Sequence, residues 1–107
     1  MINNPIITEI AELLKKNCSD IIRIFLISYK TDNFANLTSF KLALILKDSA
    51  KNLPELECRL YIDVECELPF DLVIYRQGEF DRLKEEIGTF AWKINNSGAE
   101  IYGQRIS

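Results

Sequence analysis

The chain has 107 residues, 48% hydrophobic and 27% charged, which supplies apolar material for one packed core and leaves no length for a second domain. Thirteen Lys and Arg stand against sixteen Asp and Glu, for a net charge of -3. The basic residues are scattered, so the phosphate-neutralising patch that duplex DNA or RNA requires is not formed and nucleic acid is not an expected partner.

Asn4 followed by Pro5 reads as a helix start, an N-cap oxygen and then a ring preset at helical φ. Ile6, Ile10, Leu13 and Leu14 recur at helical spacing, with Glu9, Glu12, Lys15 and Lys16 outside, so a first amphipathic helix is predicted to end near Asn17. Residues 21–29 are apolar on both faces apart from Arg23 and Ser28 and predict a buried central strand. Residues 39–47 read the same way: Phe40, Leu42, Leu44 and Leu46 line one face, while Ala43 and Ile45 share the other with Ser39 and Lys41. The polar residues 30–38 between them predict a surface loop, the place where a scaffold of this kind carries function.

Asn52 opens a second predicted helix, with Pro54 in its first turn and Glu55 in capping-box position. Leu53, Leu56, Leu60, Val64 and Leu68 carry its apolar stripe as far as Pro69, although residues 61–64 taken alone also fit a strand. Residues 70–75 predict a third strand with Asp71 near its start. Residues 79–86 predict a short charged helix stopped by Gly88, residues 89–97 another closed by Gly98 as a left-handed C-cap, and residues 99–104 a short final strand. The expected fold class is therefore α/β (α+β), a single domain over residues 1–107 with a four-stranded mixed sheet whose two sequential strands are neighbours and whose helices cover one or both faces.

Cys18, Cys58 and Cys66 lack paired C-x-x-C spacing, and the chain has no histidine, which argues against structural zinc. Cys58 and Cys66 read as buried small hydrophobes. Residues 1–20 mix Asn, Glu and Lys into a helical pattern without the apolar core of a secretory signal, and the apolar runs fall well short of the roughly 20 residues that span a bilayer. A cytoplasmic protein with no membrane association and no cofactor is expected.

The strand Arg23-Ile24-Phe25-Leu26-Ile27-Ser28, the strand Ser39-Phe40-Lys41-Leu42-Ala43-Leu44-Ile45-Leu46 and the strand Phe70-Asp71-Leu72-Val73-Ile74-Tyr75 follow one another in the order found in the minimal nucleotidyltransferase domain, the small relative of DNA polymerase β. The tail is closer still: Glu79-Phe80-Asp81-Arg82-Leu83-Lys84, then Gly88-Thr89-Phe90-Ala91-Trp92-Lys93-Ile94, leading into Gly98-Ala99-Glu100-Ile101-Tyr102. Over roughly residues 5–104 the chain resembles that family. The resemblance implies a nucleotidyltransferase-like fold, with Gly-Ser ending the first strand, Asp-x-Asp on the second and a third Asp on a later strand. Here Ile27 replaces the Gly, and Ser39 and Lys41 replace the paired acids; only Ser28 and Asp71 match. Nucleotidyl transfer holds divalent metal with carboxylates, and one carboxylate is a poor cage for it.

The resemblance thus implies a degenerate pocket of Ser28, Ser39, Lys41 and Asp71, with no catalytic residues and no metal ligands. Lys41 would replace the charge of the metal and pair with Asp71, or else snorkel to solvent while Asp71 caps a turn. Ser28 would support a bound phosphate, or be satisfied by loop backbone. Asp32, Asp48 and Asp63 read as turn residues before displaced metal ligands, and Trp92, Phe90 and Ile94 as packing. Glu55, Glu57, Asp63, Glu65 and Glu67 make an acidic solvated face, with a basic partner as the sharper alternative. The expected function is that of a non-catalytic interaction or antitoxin-like module that binds a protein partner, by family analogy a helical toxin-like protein of the HEPN type, or a second copy of itself. The alternative is a nucleotide-binding protein or a nucleotidyltransferase with an atypical site.

Overall fold

The computed structural model describes residues 4–103. Its elements run α1 (Pro5–Asn17), β1 (Ile21–Thr31), β2 (Leu37–Leu46), α2 (Leu53–Asp63), β3 (Phe70–Arg76), α3 (Gln77–Leu83), α4 (Phe90–Ser97) and β4 (Ala99–Gly103). The strands form one four-stranded sheet in the order β3-β2-β1-β4. β1 pairs antiparallel with β2 and with β4, whereas β2 and β3 run parallel, with α2 in the crossover. The sheet is therefore mixed.

Both faces of the sheet are covered. α1 presents Ile7, Ile10, Ala11 and Leu14, and α2 presents Leu56 and Leu60, to a core shared with Ile24, Leu26, Leu42, Leu44, Leu46 and Leu72. On the opposite face, Phe80 of α3 and Ala91 and Ile94 of α4 pack on Phe25, Ala43 and Ile45. Leu42, Ala43, Leu44, Ile45 and Leu46 are each 0% exposed, which explains why β2 reads as a continuous apolar run rather than an alternating one.

Local chemistry accounts for the element starts. Asn4 Oδ1 accepts from Ile6 N at 2.8 Å, with Pro5 in the first turn. Asn52 accepts from Glu55 N at 3.4 Å and returns a bond from its Nδ2 to Glu55 Oε2 at 2.7 Å, a reciprocal cap close to the expected capping box. Thr89 caps α4 by accepting from Trp92 N at 3.1 Å, and its hydroxyl donates to Leu83 O at 2.8 Å. That second bond ties the start of α4 to the end of α3.

Several expectations are corrected. The loop predicted over residues 30–38 is shorter than expected, because β1 and β2 continue into it as a hairpin arm through residues 30, 31, 37 and 38 and leave residues 32–36 as the turn. Asp32 closes that turn by accepting from Phe34 N and Asn36 N at 2.8 and 2.9 Å. α2 stops at Asp63 rather than running to Pro69: Val64 leaves the helix in extended conformation and is buried, consistent with the weak helix preference of Ile62, Asp63 and Val64. α3 begins and ends earlier than predicted, at Gln77 and Leu83; its early start has Asp48 accepting from Gly78 N at 2.8 Å, a cap supplied from outside the local sequence. Gly98 is not left-handed, having φ -76 and ψ 150. Cys18 is buried, but Cys58 is exposed and Cys66 half-buried. The strand end predicted at Gln104 lies outside the described residues.

Candidate functional site

Strict alternation along β1 would put Ser28 on the same face as Ile24 and Leu26, toward α1 and α2. A bulge between Leu26 and Ser28 changes this: Leu26 stands opposite Leu42, but Ser28 stands opposite Lys41. The extra residue, Ile27, packs against the core under α3 and α4, and everything beyond it on β1 is moved to the other face. Ser28 therefore shares the α3/α4 face with Lys41.

Lys41 is in turn the register partner of Asp71 on β3. Ser28, Lys41 and Asp71 form a row across three adjacent strands, β1, β2 and β3. Ser39, two residues before Lys41, stands opposite Lys30. Two ammonium-bearing and two hydroxyl-bearing residues thus alternate in a two-by-two block on one sheet face, with Asp71 at its side.

The structure does not join Lys41 to Asp71 as an ion pair. The ion pairs among the described residues are Glu12–Lys15, Arg23–Glu100 and Asp81–Lys84. Lys41 Nζ instead lies 5.9 Å from the centroid of the Phe90 ring, within reach of a weak cation–π attraction. Lys41 is half-buried and Asp71 exposed. Among the described residues, no group of three or more His, Cys, Asp or Glu side chains is placed to hold one metal ion.

The other singled-out acids lie away from this row. Asp32 is held below the usual carboxylate range, chiefly by the backbone N–H groups of Asn36 and Phe34. Asp48 caps α3, and Asp63 is exposed at the end of α2. Trp92 is half-buried and Ile94 fully buried, while Phe90 is 39% exposed beside Lys41.

Lys30 and Phe90 join the neighbourhood of Lys41 without having been singled out for it in the sequence. The sequence places Lys30 in a loop, and the approach of Phe90 depends on how α4 seats on the sheet. Comparison of the chain with protein-family models, with curated proteins and with solved structures finds no match. No helix among the described residues is long and apolar enough to cross a membrane.

Proposed function

We propose that the chain is a non-catalytic interaction module on a nucleotidyltransferase-like scaffold, acting through a protein partner in an antitoxin-like role. One observation carries this reading. The centre of the Ser28–Lys41–Asp71 row holds a lysine, at the position where the resemblance implies a carboxylate. A cation there repels the divalent metal that nucleotidyl transfer employs, and the single carboxylate of Asp71 does not supply the missing donors. The scaffold is thereby left with surface as its functional resource.

A second reading, nucleotide binding without turnover, has its own support. The block of Ser28, Lys30, Ser39 and Lys41 offers hydroxyl and ammonium donors suited to phosphate oxygens. A thermal-shift titration with ATP, GTP, CTP and UTP, with and without magnesium, separates the readings, because a ligand that binds the native state raises its apparent stability. The interaction module predicts no shift with any nucleotide. A shift independent of magnesium supports the second reading, and a magnesium-dependent shift overturns the non-catalytic reading altogether.

A further inference from the structure

Where α2 gives way to the segment leading into β3, the surface opens into a groove of about 650 Å³ lined by Tyr61, Cys66, Leu68 and Phe70 and by the carboxylates Glu65 and Glu67. Its aromatic side is ordered. The Tyr61 and Phe70 rings lie 5.5 Å apart, and Phe70 stacks on buried Phe40 at 5.7 Å with the planes 12° apart. The Tyr61 hydroxyl accepts from Leu72 N at 2.6 Å, which pins the ring over the start of β3.

We propose that this groove docks an extended segment of a protein partner through arginine or lysine side chains. The inference rests on the interaction-module reading and names the surface that reading requires. Among the described residues, the lining carries two carboxylates and no basic residue. Both carboxylates are exposed and neither is in an ion pair among the described residues, and Asp71 stands next to Phe70 at the groove end of β3. Tyr61, 40% exposed, adds an aromatic ring of the kind that attracts cations. A long basic side chain satisfies both features at once: its alkyl stem covers the apolar lining and its charged head reaches the acids.

Other occupants match less of this chemistry. A wholly apolar guest would strip water from Glu65 and Glu67 without giving them a partner, and an acidic peptide or a nucleic acid would meet like charge. β3 is an edge strand, so strand addition is the obvious competing mode. The Leu72 N–H that an added strand would use is already given to Tyr61. With that donor taken at the groove end of β3, the proposed recognition runs through side chains in the groove.

The test is isothermal titration of the full chain with a capped eight-residue peptide of alternating Arg and Ala, at low and high salt, with the corresponding Glu-Ala peptide as control. Binding of one Arg-Ala peptide per chain, weakened by salt as expected for solvent-accessible charges, is the expected result. The double variant Glu65→Gln/Glu67→Gln should weaken it about tenfold or more, a loss of about 1.4 kcal/mol, while circular dichroism shows the fold retained. A second variant, Tyr61→Phe, keeps the ring and should retain most of the binding.

Absence of binding, equal binding of the Glu-Ala peptide, or undiminished binding to the double variant would each overturn the proposal. Loss of peptide binding alongside an absence of nucleotide shifts removes the groove and leaves the interaction module standing. A magnesium-dependent nucleotide shift removes the non-catalytic reading whatever the peptide does.

Discussion

Lys41 and Asp71 are register partners on parallel neighbouring strands, yet they form no ion pair, and the lysine ammonium leans toward Phe90. Adjacency in a sheet brings the Cα atoms of two residues together without obliging flexible, solvent-reaching side chains to meet, since immobilising both costs rotamer entropy that a screened attraction barely offsets. A double-mutant cycle of Lys41→Ala and Asp71→Ala, read by urea denaturation, should give a coupling below about 0.5 kcal/mol. A coupling of several times that size would mean the two side chains do pair in solution.

Gly98 follows the last residue of α4 and turns the chain into β4. Its backbone angles suit any residue, but a Cβ there would sit 2.6 Å from Ile94 O, the carbonyl that accepts from Gly98 N at 2.8 Å. The constraint is space, not dihedral freedom. Gly98→Ala should destabilise the fold by about 1–3 kcal/mol, the usual cost of forcing backbone apart in a packed region. An unchanged melting temperature would contradict this close approach.

Asp48, just past the end of β2, holds the first turn of α3 through Gly78 N. Asp48→Ala should cost about 1 kcal/mol, as loss of an N-terminal helix cap does, and lower the melting temperature by about 4–8 °C for each kcal/mol in a domain of this size. Asp48→Asn, which keeps an acceptor, should recover most of that loss. Equal losses in the two variants would show that the acceptor oxygen is not what matters.

Tyr61 and Tyr75 both have phenol pKa values pushed up from 10.0, in each case mainly by burial and secondarily by nearby carboxylates, Glu57 and Asp71 for Tyr61 and Glu79 for Tyr75; the bond from Leu72 N opposes the shift at Tyr61. The folded state holds these protons more tightly than the unfolded chain. Their contribution to stability is whole below pH 10 and is lost as pH rises through the folded values. Urea midpoints measured from neutral pH into this alkaline range should fall less steeply for Tyr61→Phe and Tyr75→Phe than for the wild type. Parallel curves would exclude a linked proton at either position.

Much of the architecture is legible in local chemistry. Asn4-Pro5 places the start of α1, Asn52 with Glu55 the start of α2, and Thr89 the start of α4, because caps act over two or three residues. The apolar run of β2 announces burial on both faces for the same reason: each residue carries its own solvation cost wherever it lies in the chain. The end of α2 is not legible, because leaving the helix at Asp63 depends on the core that receives Val64. The start of α3 likewise depends on Asp48, thirty positions before the glycine it caps.

Four strands, the helices around them and the residue types available to a pocket can be read along the chain, since propensity, capping and apolar period are local quantities. The sequence also identifies Ser39 and Lys41 as sharing a face, which the two-residue period of a strand dictates. That Ser28 joins them is a property of the folded sheet, because the bulge at Ile27 reverses the face of β1 and arises from how that strand registers against β2. The same holds for the groove beside Tyr61: its hydroxyl meets Leu72 N eleven positions along the chain, a contact made only when α2 and β3 pack side by side.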